Sequence, residues 1–379
     1  MFKLGDLSGL AADQELGRRN GSAAPASRHL PHAAASTEAY FRAATAILSS
    51  APDESEPDIS ATLLKRHYGL EGSTAVLSSE IERTVEVSLF DGRQLILKTS
   101  ARQEAVDSFR FQSAALAALQ GSVGFAAPTV IPTSGGALMF EEEGLSGYLQ
   151  TRIEGVSLHQ ETPTPDLLFR TGNALGQMDL ALAQVNIPAA HRPILWHVGC
   201  WSRLMELEEH LPSGSVAESV RTAMTEYMRF VEPQISNLEW QVAHNDPSPF
   251  NTIVTPHGLC FIDFGDGCWS PRIQDLAIAA SHLVTDPALP LGGAEHLISG
   301  YAAVVPLSAL EARLLIGLIR ARQSALILVN YWRSHLFPAD AQYIKKNVAR
   351  AERGLTILAP LSTASAEAAV LAAASQPSP

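Results

Sequence analysis

The first regular pattern of apolar and polar positions begins near Ile59. The run "SATLLKRHYGL" spaces its apolar residues as a helix does and ends at Gly69, which predicts a helix with a glycine cap. Three short β-branched or alternating runs follow, "TAVLSS", "ERTVEVSLF" and "RQLILKTS", and the Asp-Gly pair in "FDGR" is typical of a hairpin turn. A helical stretch over 103–119 and three more strand-like runs, "PTVIPT", "GALMF" and "GYLQTRI", complete a small antiparallel sheet with one inserted helix.

Beyond Gly155 the apolar spacing becomes helical, in "PDLLFRTGNALGQMDLALAQV", in "SVAESVRTAMTEYMRFVEPQI" and in the long run from Leu307 to Trp332. One window interrupts this pattern, because β-like runs over 251–255 and 259–264 are joined by "PHG" and predict a hairpin. The chain is therefore predicted to have an α+β, bilobal fold, with a small antiparallel β-sheet N-lobe and a mainly helical C-lobe.

The segments that flank these patterns look different. Residues 1–57 are rich in Ala, Ser and Pro and are predicted to be a flexible extension, in which "TEAYFRAATAILSS" is the stretch able to form a helix. The N-lobe is then expected over 58–152 and the C-lobe over 153–360. Residues 361–379 are predicted to be a flexible tail.

Composition and charge narrow the classes of function. The chain has 379 residues, of which 46% are hydrophobic and 17% charged, as is typical of a globular enzyme. Its formal charge of −12 argues against binding of nucleic acid or of an anionic membrane, because phosphate groups are bound through an excess of Lys and Arg. A small cationic or zwitterionic partner fits better. Nothing in the sequence indicates the oligomeric state.

Neither export nor membrane insertion is predicted. The N-terminus lacks the continuous apolar core of a signal peptide, and the most apolar region, Leu314 to Trp332, is interrupted by Arg320 and Arg322. A buried helix is therefore expected there. The three cysteines have neither CxxC nor Cys/His spacing, so no disulfide framework or zinc site is predicted. We expect a cytoplasmic protein.

Oxygen-bearing side chains concentrate in one short window, "VAHNDPSPFNTIV" (242–254) followed by "FIDFGDG" (261–267). The predicted hairpin brings Asn251 and Asp263 to the same open end, where an amide and a carboxylate suit Mg²⁺. Asp246 lies on the loop that enters the hairpin, placed to accept a proton from a substrate hydroxyl. In protein kinases, an Asp-x4-Asn pattern followed by Asp-Phe-Gly supplies the catalytic base, an amide ligand of the metal and a carboxylate ligand of the metal.

In protein kinases a lysine at the end of a V-A-I-K strand contacts the nucleotide phosphates. Lys98 ends the strand-like run "RQLILK" in the same way. Its partner is expected on the next helix, where Glu104 and Asp107 come early and Gln112 in "FQSAAL" is favoured. The sequence contains neither GxGxxG nor GxxxxGK[ST]. Ser79 in "LSSEIERTV", with neighbouring backbone N–H groups, is therefore expected to replace a glycine loop at the phosphates.

These motifs resemble those of the aminoglycoside phosphotransferase and choline kinase superfamily, which has the protein-kinase-like bilobal fold. That superfamily carries H-G-D-x4-N and then I-D-F, and this chain has "HNDPSPFN", with Asn245 in place of the glycine, and "FIDFGD". With "DLAIAA", "LGQMDLAL" and "FQSAAL", the chain most resembles the hydroxylysine kinase branch. The resemblance extends from about Ser60 to Leu358.

The resemblance implies Mg²⁺ and a purine triphosphate, ATP or GTP, as the phosphoryl donor. It implies Asp246 as the catalytic base and Asn251 and Asp263 as the metal ligands. Lys98 would contact the α- and β-phosphates.

Contacts to the purine and to the acceptor are implied as well. Gln150 and Thr151, in the connection "GYLQTRIEG", would give backbone hydrogen bonds to adenine, and Asp266 would lie beside the metal or at the substrate amine. Trp269 and Arg320 each have two possible roles. Trp269 closes over a substrate ammonium or packs in the core, and Arg320 holds an acceptor carboxylate or forms an interior salt bridge.

Other polar and aromatic residues near the window are expected to be structural. His244 should brace the catalytic loop, and Asp275 should accept hydrogen bonds near it. Trp196 is expected in the core.

The expected function is transfer of a γ-phosphate to the hydroxyl of a hydroxylysine-like amino acid or an amino alcohol. An aminoglycoside acceptor and then homoserine- or choline-like acceptors are the alternatives. The rival from another class is a catalytically inactive, nucleotide-binding pseudokinase. Gln112, the missing glycine loop, and Pro247 and Pro249 in the catalytic loop support the rival, whereas the intact base and metal ligands argue against it.

Overall fold

Two lobes that meet at a cleft are seen in the computed structural model, which describes residues 34–50, 59–77, 82–142, 144–376 and 379. The helices are α1 (Ala34–Leu48), α2 (Ser60–Tyr68), α3 (Gln103–Ala118), α4 (Pro165–Leu182), α5 (Ser215–Glu226), α6 (Ile273–Ser281), α7 (Glu295–Ala302), α8 (Ala309–Leu336), α9 (Ala341–Ile344), α10 (Val348–Leu358) and α11 (Thr363–Ala374). The strands are β1 (Gly72–Leu77), β2 (Arg83–Leu89), β3 (Gln94–Ser100), β4 (Val130–Ile131), β5 (Phe140–Glu142), β6 (Leu145–Thr151), β7 (Val156–Ser157), β8 (Trp240–Ala243), β9 (Thr252–Thr255), β10 (Gly258–Phe261) and β11 (Cys268–Pro271).

The N-terminal sheet has the strand order β1-β2-β3-β6-β4, with β5 also paired to β6, and these pairings are antiparallel. Side chains alternate between its faces, so Leu95 and Leu97 pack with Leu64 of α2 on one side. Ile96 and Lys98 turn to the other side and line the cleft. The predicted antiparallel sheet is confirmed.

The central element of the C-terminal lobe is α8. It begins with a capping box, in which Ser308 Oγ accepts from the Glu311 N–H at 3.2 Å and Glu311 Oε2 accepts from the Ser308 N–H at 2.8 Å. Helices α5, α6, α10 and α11 pack around it, so most of its length is buried. The predicted bilobal α+β architecture is confirmed.

Helix α1 corrects the expectation that residues 1–57 are a flexible extension. Phe41, Ala44 and Leu48 are buried against the C-terminal lobe, and Tyr40 Oη donates to the carbonyl of Arg192 at 2.9 Å. These three buried residues follow helical spacing, so they form one apolar face that packing stabilises. The helix predicted in "TEAYFRAATAILSS" is present, while residues 1–33 and 51–58 lie outside the described part of the chain.

Helix α11 corrects the tail expected over 361–379. Ser362 caps it by accepting the N–H of Ser365 at 3.1 Å, and Ala366, Val370 and Ala373 are buried against α7 and α8. Alanine-rich composition suggests low complexity, but alanine has the highest helix propensity, and its small side chain lets helices approach closely.

No single helix in the described ranges has the length and apolarity needed to cross a membrane. One bent pair, Pro338–Leu358 with Thr363–Ala374, meets the length and composition criteria only when its two parts are taken together across a bend of 105°. The apolar run from Leu314 to Trp332 lies in α8 and is mostly buried within the lobe.

Candidate active site

His244 braces the loop 244–251, which precedes the hairpin of β9 and β10. Its imidazole is fully buried, and Nε2 lies 3.0 Å from the carbonyl of Ile262. A ring nitrogen that faces a carbonyl carries the proton, so Nδ1 is the acceptor and takes the N–H of Asp246 at 3.3 Å. Burial lowers the pKa of His244 to about 4. His244 is therefore a neutral brace, as the sequence suggests.

Asp275, in the first turn of α6, holds the backbone of the same loop. Its two carboxylate oxygens accept from the N–H groups of His244 and Asn245, each at 2.7 Å. Asn245 has a left-handed backbone with φ of 63°, which asparagine adopts more readily than most residues. This conformation explains why either a glycine or an asparagine serves at this position of the motif.

A second buried carboxyl group, Asp179 of α4, lies close enough to Asp275 for the two charges to interact, and its Oδ1 has no hydrogen-bond partner within the described part of the chain. Asp179 Oδ2 also accepts from Tyr301 Oη at 2.7 Å. Burial and then the neighbouring Asp275 charge raise the pKa of Asp179 well above its usual range. A protonated, neutral Asp179 avoids burying a second negative charge beside Asp275, so Asp275 keeps its charge for the loop.

The variant Asp179→Asn tests whether Asp179 holds a proton in the folded state. The amide is uncharged at every pH, and its oxygen can accept from Tyr301 Oη as the protonated carboxyl does. Because wild-type Asp179 keeps a proton at a pH where the unfolded chain has lost it, the folded state binds more protons and its free energy of unfolding falls as pH rises. We expect the variant to gain stability relative to the wild type as pH rises from about 5 toward about 8, by on the order of 1 kcal/mol per pH unit for as long as folded Asp179 keeps its proton.

Urea unfolding at both pH values measures the difference. Asp166→Asn is the matched control, because this carboxylate is 66% exposed and pairs with Arg170 on the surface. Its stability should follow that of the wild type at both pH values. Parallel behaviour of the Asp179 variant as well would contradict a proton on Asp179.

Asp246 and Asn251 face each other at the mouth of the hairpin. Asn251 Nδ2 donates to Asp246 Oδ2 at 2.7 Å and to the Asp246 carbonyl at 3.1 Å. Because both neighbours are acceptors, the amide nitrogen must point at Asp246, and the amide oxygen is the atom left to serve a cation. The Asp246 side chain is 23% exposed and lines the cleft, so a substrate hydroxyl can reach it.

The prolines at 247 and 249 do not break up this loop. The N–H of Ser248 donates to the Asp246 carbonyl at 2.8 Å, and the N–H of Asn251 donates to the Ser248 carbonyl at 2.9 Å. The Pro249 carbonyl accepts from Ser157 Oγ at 2.8 Å. The loop closes through residues between and after the prolines, so the two missing N–H donors leave its hydrogen bonds intact.

The hairpin brings Asp263 to Asn251, since the N–H of Ile262 donates to the Asn251 carbonyl at 2.9 Å. Asp263 has a left-handed backbone with φ of 62°, a costly conformation that is retained chiefly at functional positions. Its side chain is 52% exposed at the cleft, and Oδ1 lies 3.0 Å from Lys98 Nζ. The Lys98 charge lowers the pKa of Asp263 and keeps it ionised.

An ionised carboxylate and an amide oxygen at one end of a hairpin fit the oxygen ligands that Mg²⁺ prefers. Within the described ranges, no group of three or more His, Cys, Asp and Glu residues could hold a metal. A cation held by only two protein oxygens, at Asn251 and Asp263, would also use oxygens of its substrate and of water, as Mg²⁺ does in phosphoryl-transfer sites.

Lys98 is buried on β3 and binds two carboxylates, Glu82 at 2.5 Å and Asp263 at 3.0 Å. Gln112 Oε1 accepts from Lys98 Nζ at 3.2 Å, and Gln112 Nε2 donates to Glu82 Oε2 at 3.2 Å. Burial acts to lower the pKa of Lys98, but the Asp263 and Glu82 charges outweigh it and raise that pKa well above its usual value. Gln112 lies where the sequence places it, whereas Glu82 was missed because it precedes β2 and is not on the helix.

On the purine side of the cleft, sheet pairing already uses part of the backbone of Gln150 and Thr151. Gln150 lines the cleft, but β6 pairs with both β3 and β4 at this residue, so its backbone belongs to the sheet. The N–H of Thr151 donates to the Thr129 carbonyl at 2.9 Å, and Thr151 is not a lining residue. The Thr151 N–H is therefore already paired within the sheet, and the contacts of Gln150 and Thr151 to adenine stay a prediction. Ser79 lies outside the described residues.

Beside Asp246 the cleft, of about 530 Å³, is lined by Asp266, Arg322 and Trp196. Arg322 Nη2 donates to Asp246 Oδ1 at 3.2 Å, and its guanidinium lies over the Trp196 ring, 4.5 Å from the centroid. Burial and then the charges of Asp246 and Asp263 raise the pKa of Asp266 to about 7. Trp196, expected in the core, is thus part of the site wall.

The structure brings neither Arg320 nor Trp269 to the cleft. Arg320 binds Glu226 Oε2 at 2.9 Å and the Leu361 carbonyl at 2.8 Å, which is the interior role that the sequence left open. Trp269 lies in β11 and packs against the core. Positions two apart on a helix point about 200° apart, so Arg322 faces the cleft in place of Arg320.

Loop 263–267 is held by Arg192, which no sequence motif marks. Its Nη1 donates to the Gly267 carbonyl at 2.7 Å and its Nη2 to the Gly265 carbonyl at 2.5 Å. The guanidinium lies over Phe111 of α3, 4.6 Å from the ring centroid. Gly267 has no room for a side chain, because a Cβ there would sit 2.1 Å from the Phe111 ring.

Comparison with known proteins identifies relatives of this chain. The family model of the phosphotransferase enzyme family, APH, matches residues 74–307. Hydroxylysine kinase of Danio rerio is 25% identical over 304 residues, which cover 73% of this chain and 85% of that protein. Hydroxylysine kinase of Xenopus laevis is 23% identical over 212 residues, which cover 52% of this chain and 57% of that protein.

Solved structures share the fold. An amicoumacin kinase in complex with AMP-PNP and Ca²⁺ has a TM-score of 0.61 at 14% identity, covering 82% of this chain and 96% of that one. A microcompartment-associated aminopropanol kinase has a TM-score of 0.59 at 20% identity, covering 78% of this chain and 94% of that one. Because the family model matches more than half of this chain, the chain belongs to the phosphotransferase enzyme family and has the protein-kinase-like bilobal fold.

Proposed function

We propose that the chain transfers the γ-phosphoryl group of ATP or GTP to a hydroxyl group of a small amine-bearing molecule. The observation that carries the proposal is the meeting of four side chains at one cleft. Lys98 comes from the sheet, Asp246 from the loop, and Asn251 and Asp263 from the two ends of the hairpin. Lys98 and Asp263 are 165 positions apart, so only the fold brings them together.

Each of these side chains has a role that fits phosphoryl transfer. Asp246 accepts the hydroxyl proton while the hydroxyl oxygen forms a bond to the γ-phosphorus. The bond from that phosphorus to the β–γ bridging oxygen breaks, and the nucleoside diphosphate leaves with the oxygen. Lys98 places its charge beside the phosphate oxygens. Asn251 and Asp263 would hold Mg²⁺, which neutralises phosphate charge when it is bound.

The acceptor is proposed to carry an amine. Asp246 and Asp266 line the cleft together, and the whole chain has a formal charge of −12, so a cationic group is attracted. The similar proteins include kinases named for hydroxylysine and for aminopropanol, each a hydroxyl compound with an amine. A hydroxylated amino acid or an amino alcohol fits best, with aminoglycosides and homoserine- or choline-like acceptors as alternatives.

A catalytically inactive, nucleotide-binding module is the alternative from another class. It is less well supported, because Asp246 and Asn251 are in contact and Asp263 lies beside Lys98. Lys98 also keeps a carboxylate partner, Glu82, where the sequence favoured a glutamine.

Phosphoryl transfer from ATP and from GTP, with Mg²⁺, tests the proposal across hydroxylysine, homoserine, ethanolamine, choline and an aminoglycoside. We expect turnover on an amine-bearing acceptor, measured as nucleoside diphosphate release together with acceptor phosphate. Mg²⁺-dependent nucleotide binding without transfer to any acceptor would favour the inactive module. Absence of nucleotide binding would contradict both.

A further inference from the structure

Arg322 carries hydrogen-bond donors that have no partner in the part of the chain that the structure describes. Its side chain is 5% exposed, and Nη2 is the nitrogen that holds Asp246 Oδ1 at 3.2 Å. Nε and Nη1 have no hydrogen-bond partner within the described part of the chain. A buried guanidinium with unused donors carries a desolvation cost, and a ligand that supplies acceptors would offset it.

The position of Arg322 on α8 directs it to the cleft. Arg322, Leu326 and Asn330 follow one another at intervals of four, which is one face of a helix, and all three line the cleft. The guanidinium is stacked on Trp196, 4.5 Å from the ring centroid. Stacking on the ring uses no N–H donor, and it lets the guanidinium turn within the plane of the stack.

We propose that Arg322 is the anion-binding residue of the acceptor site and that it binds the carboxylate of a hydroxylated amino acid. This inference rests on the proposed function, because it names the acceptor class of that transfer. The planar fork of a guanidinium matches a carboxylate in a bidentate manner. Arg322 touches the base Asp246, so the acceptor presents its carboxylate and its hydroxyl close together, as a flexible amino acid can.

Asp266 completes a site for a zwitterion. It lines the same cleft, and its charge interacts with that of Arg322. An amino acid carries an ammonium group beside its carboxylate, so a carboxylate at Arg322 brings the ammonium toward the acidic wall. Amino alcohols and aminoglycosides have no carboxylate and would leave the donors of Arg322 unpaired.

The unused nitrogens are shielded from solvent where they lie, so a carboxylate reaches them when the guanidinium turns toward the cleft. The contact that such a turn would lengthen is the one from Nη2 to Asp246 Oδ1, which is 3.2 Å long.

The test compares kcat/KM for an acid with that for its uncharged carboxamide, using hydroxylysine with hydroxylysinamide and homoserine with homoserinamide. We expect the wild type to favour the acid by about ten- to a hundred-fold, since hydrogen bonds between charged groups are lost with the amide. R322M should bring the ratio to about one, and R322K, which keeps the charge but not the fork, should lie between. R313M is the matched control, because Arg313 is 55% exposed on the same helix, and it should keep the wild-type ratio.

The wild-type ratio needs no variant, so a ratio near one overturns the inference even if R322M does not fold. Equal turnover of acid and amide, or turnover confined to ethanolamine, choline or the aminoglycoside, would overturn the inference and leave the proposed function standing. Equal losses on acid and amide in R322K and R322M, with a raised KM for the nucleotide, would place Arg322 on the donor phosphates and also overturn it. Failure of the wild type to phosphorylate any acceptor would instead contradict the proposed function.

Discussion

Asp246→Asn is expected to lower kcat for phosphoryl transfer by about 10³, while nucleotide binding stays close to that of the wild type. The amide has the shape of the carboxylate but cannot take the hydroxyl proton. One of the two contacts to Asn251 and Arg322 is weakened as well, because the amide offers one acceptor oxygen where the carboxylate offers two. Steady-state kinetics with a saturating acceptor, together with calorimetric titration of nucleotide, separates the two effects.

Asp166→Asn serves as the control for charge removal at a distance from the cleft, and it should keep wild-type kcat. Urea unfolding of both variants checks that the loop substitution leaves the fold intact. Retention of more than about a tenth of kcat by the Asp246 variant would show that Asp246 is not the base.

Asp263→Asn is expected to remove the Mg²⁺ dependence of nucleotide binding and to lower kcat by at least about 10³. Asp263 is the carboxylate of the two residues proposed to hold the metal, so the substitution leaves two neutral amide oxygens there. Lys98 keeps its 2.5 Å ion pair with Glu82, and the lobe is expected to stay folded. Titration of nucleotide with and without Mg²⁺ measures the change.

Asp286→Asn is the matched control for this variant. Asp286 is exposed and accepts the N–H of Ala288 at 2.9 Å, a contact that an amide oxygen can also make. Its nucleotide binding should keep the Mg²⁺ dependence of the wild type. The same dependence in the Asp263 variant would remove Asp263 from the proposed metal site.

Local sequence patterns are sufficient to predict the sheet and the hairpin. Side chains alternate along β3, so Lys98 faces the cleft while its neighbour Leu97 packs with Leu64 of α2 on the other side of the sheet. The short turn between β9 and β10 brings Asn251 close to Asp263, and the residues that determine this hairpin all lie within about a dozen positions. These features depend on neighbours in the chain, and the sequence carries that information.

The acceptor wall could not be predicted in the same way. Helix α8 is buried along most of its length, so no polar face fixes its rotation, and the sequence pattern does not distinguish Arg320 from Arg322. Glu82 and Arg192 act through contacts with residues far along the chain, Lys98 for the first and Gly267 for the second. Contacts between residues so far apart in the chain depend on how the lobes and helices pack, which local sequence patterns do not show.

Transfer of an isotopically labelled γ-phosphoryl group to the acceptor hydroxyl is the most direct test of whether this cleft is a working phosphotransferase. The wild type would be incubated with Mg²⁺, γ-labelled ATP or GTP, and hydroxylysine or homoserine, and the acceptor would be analysed by mass spectrometry. We expect the labelled phosphoryl group on the hydroxyl oxygen with the wild type and at a rate lower by about 10³ with Asp246→Asn. Label found only in inorganic phosphate, or at equal rates in both proteins, would contradict a phosphotransferase that uses Asp246 as its base.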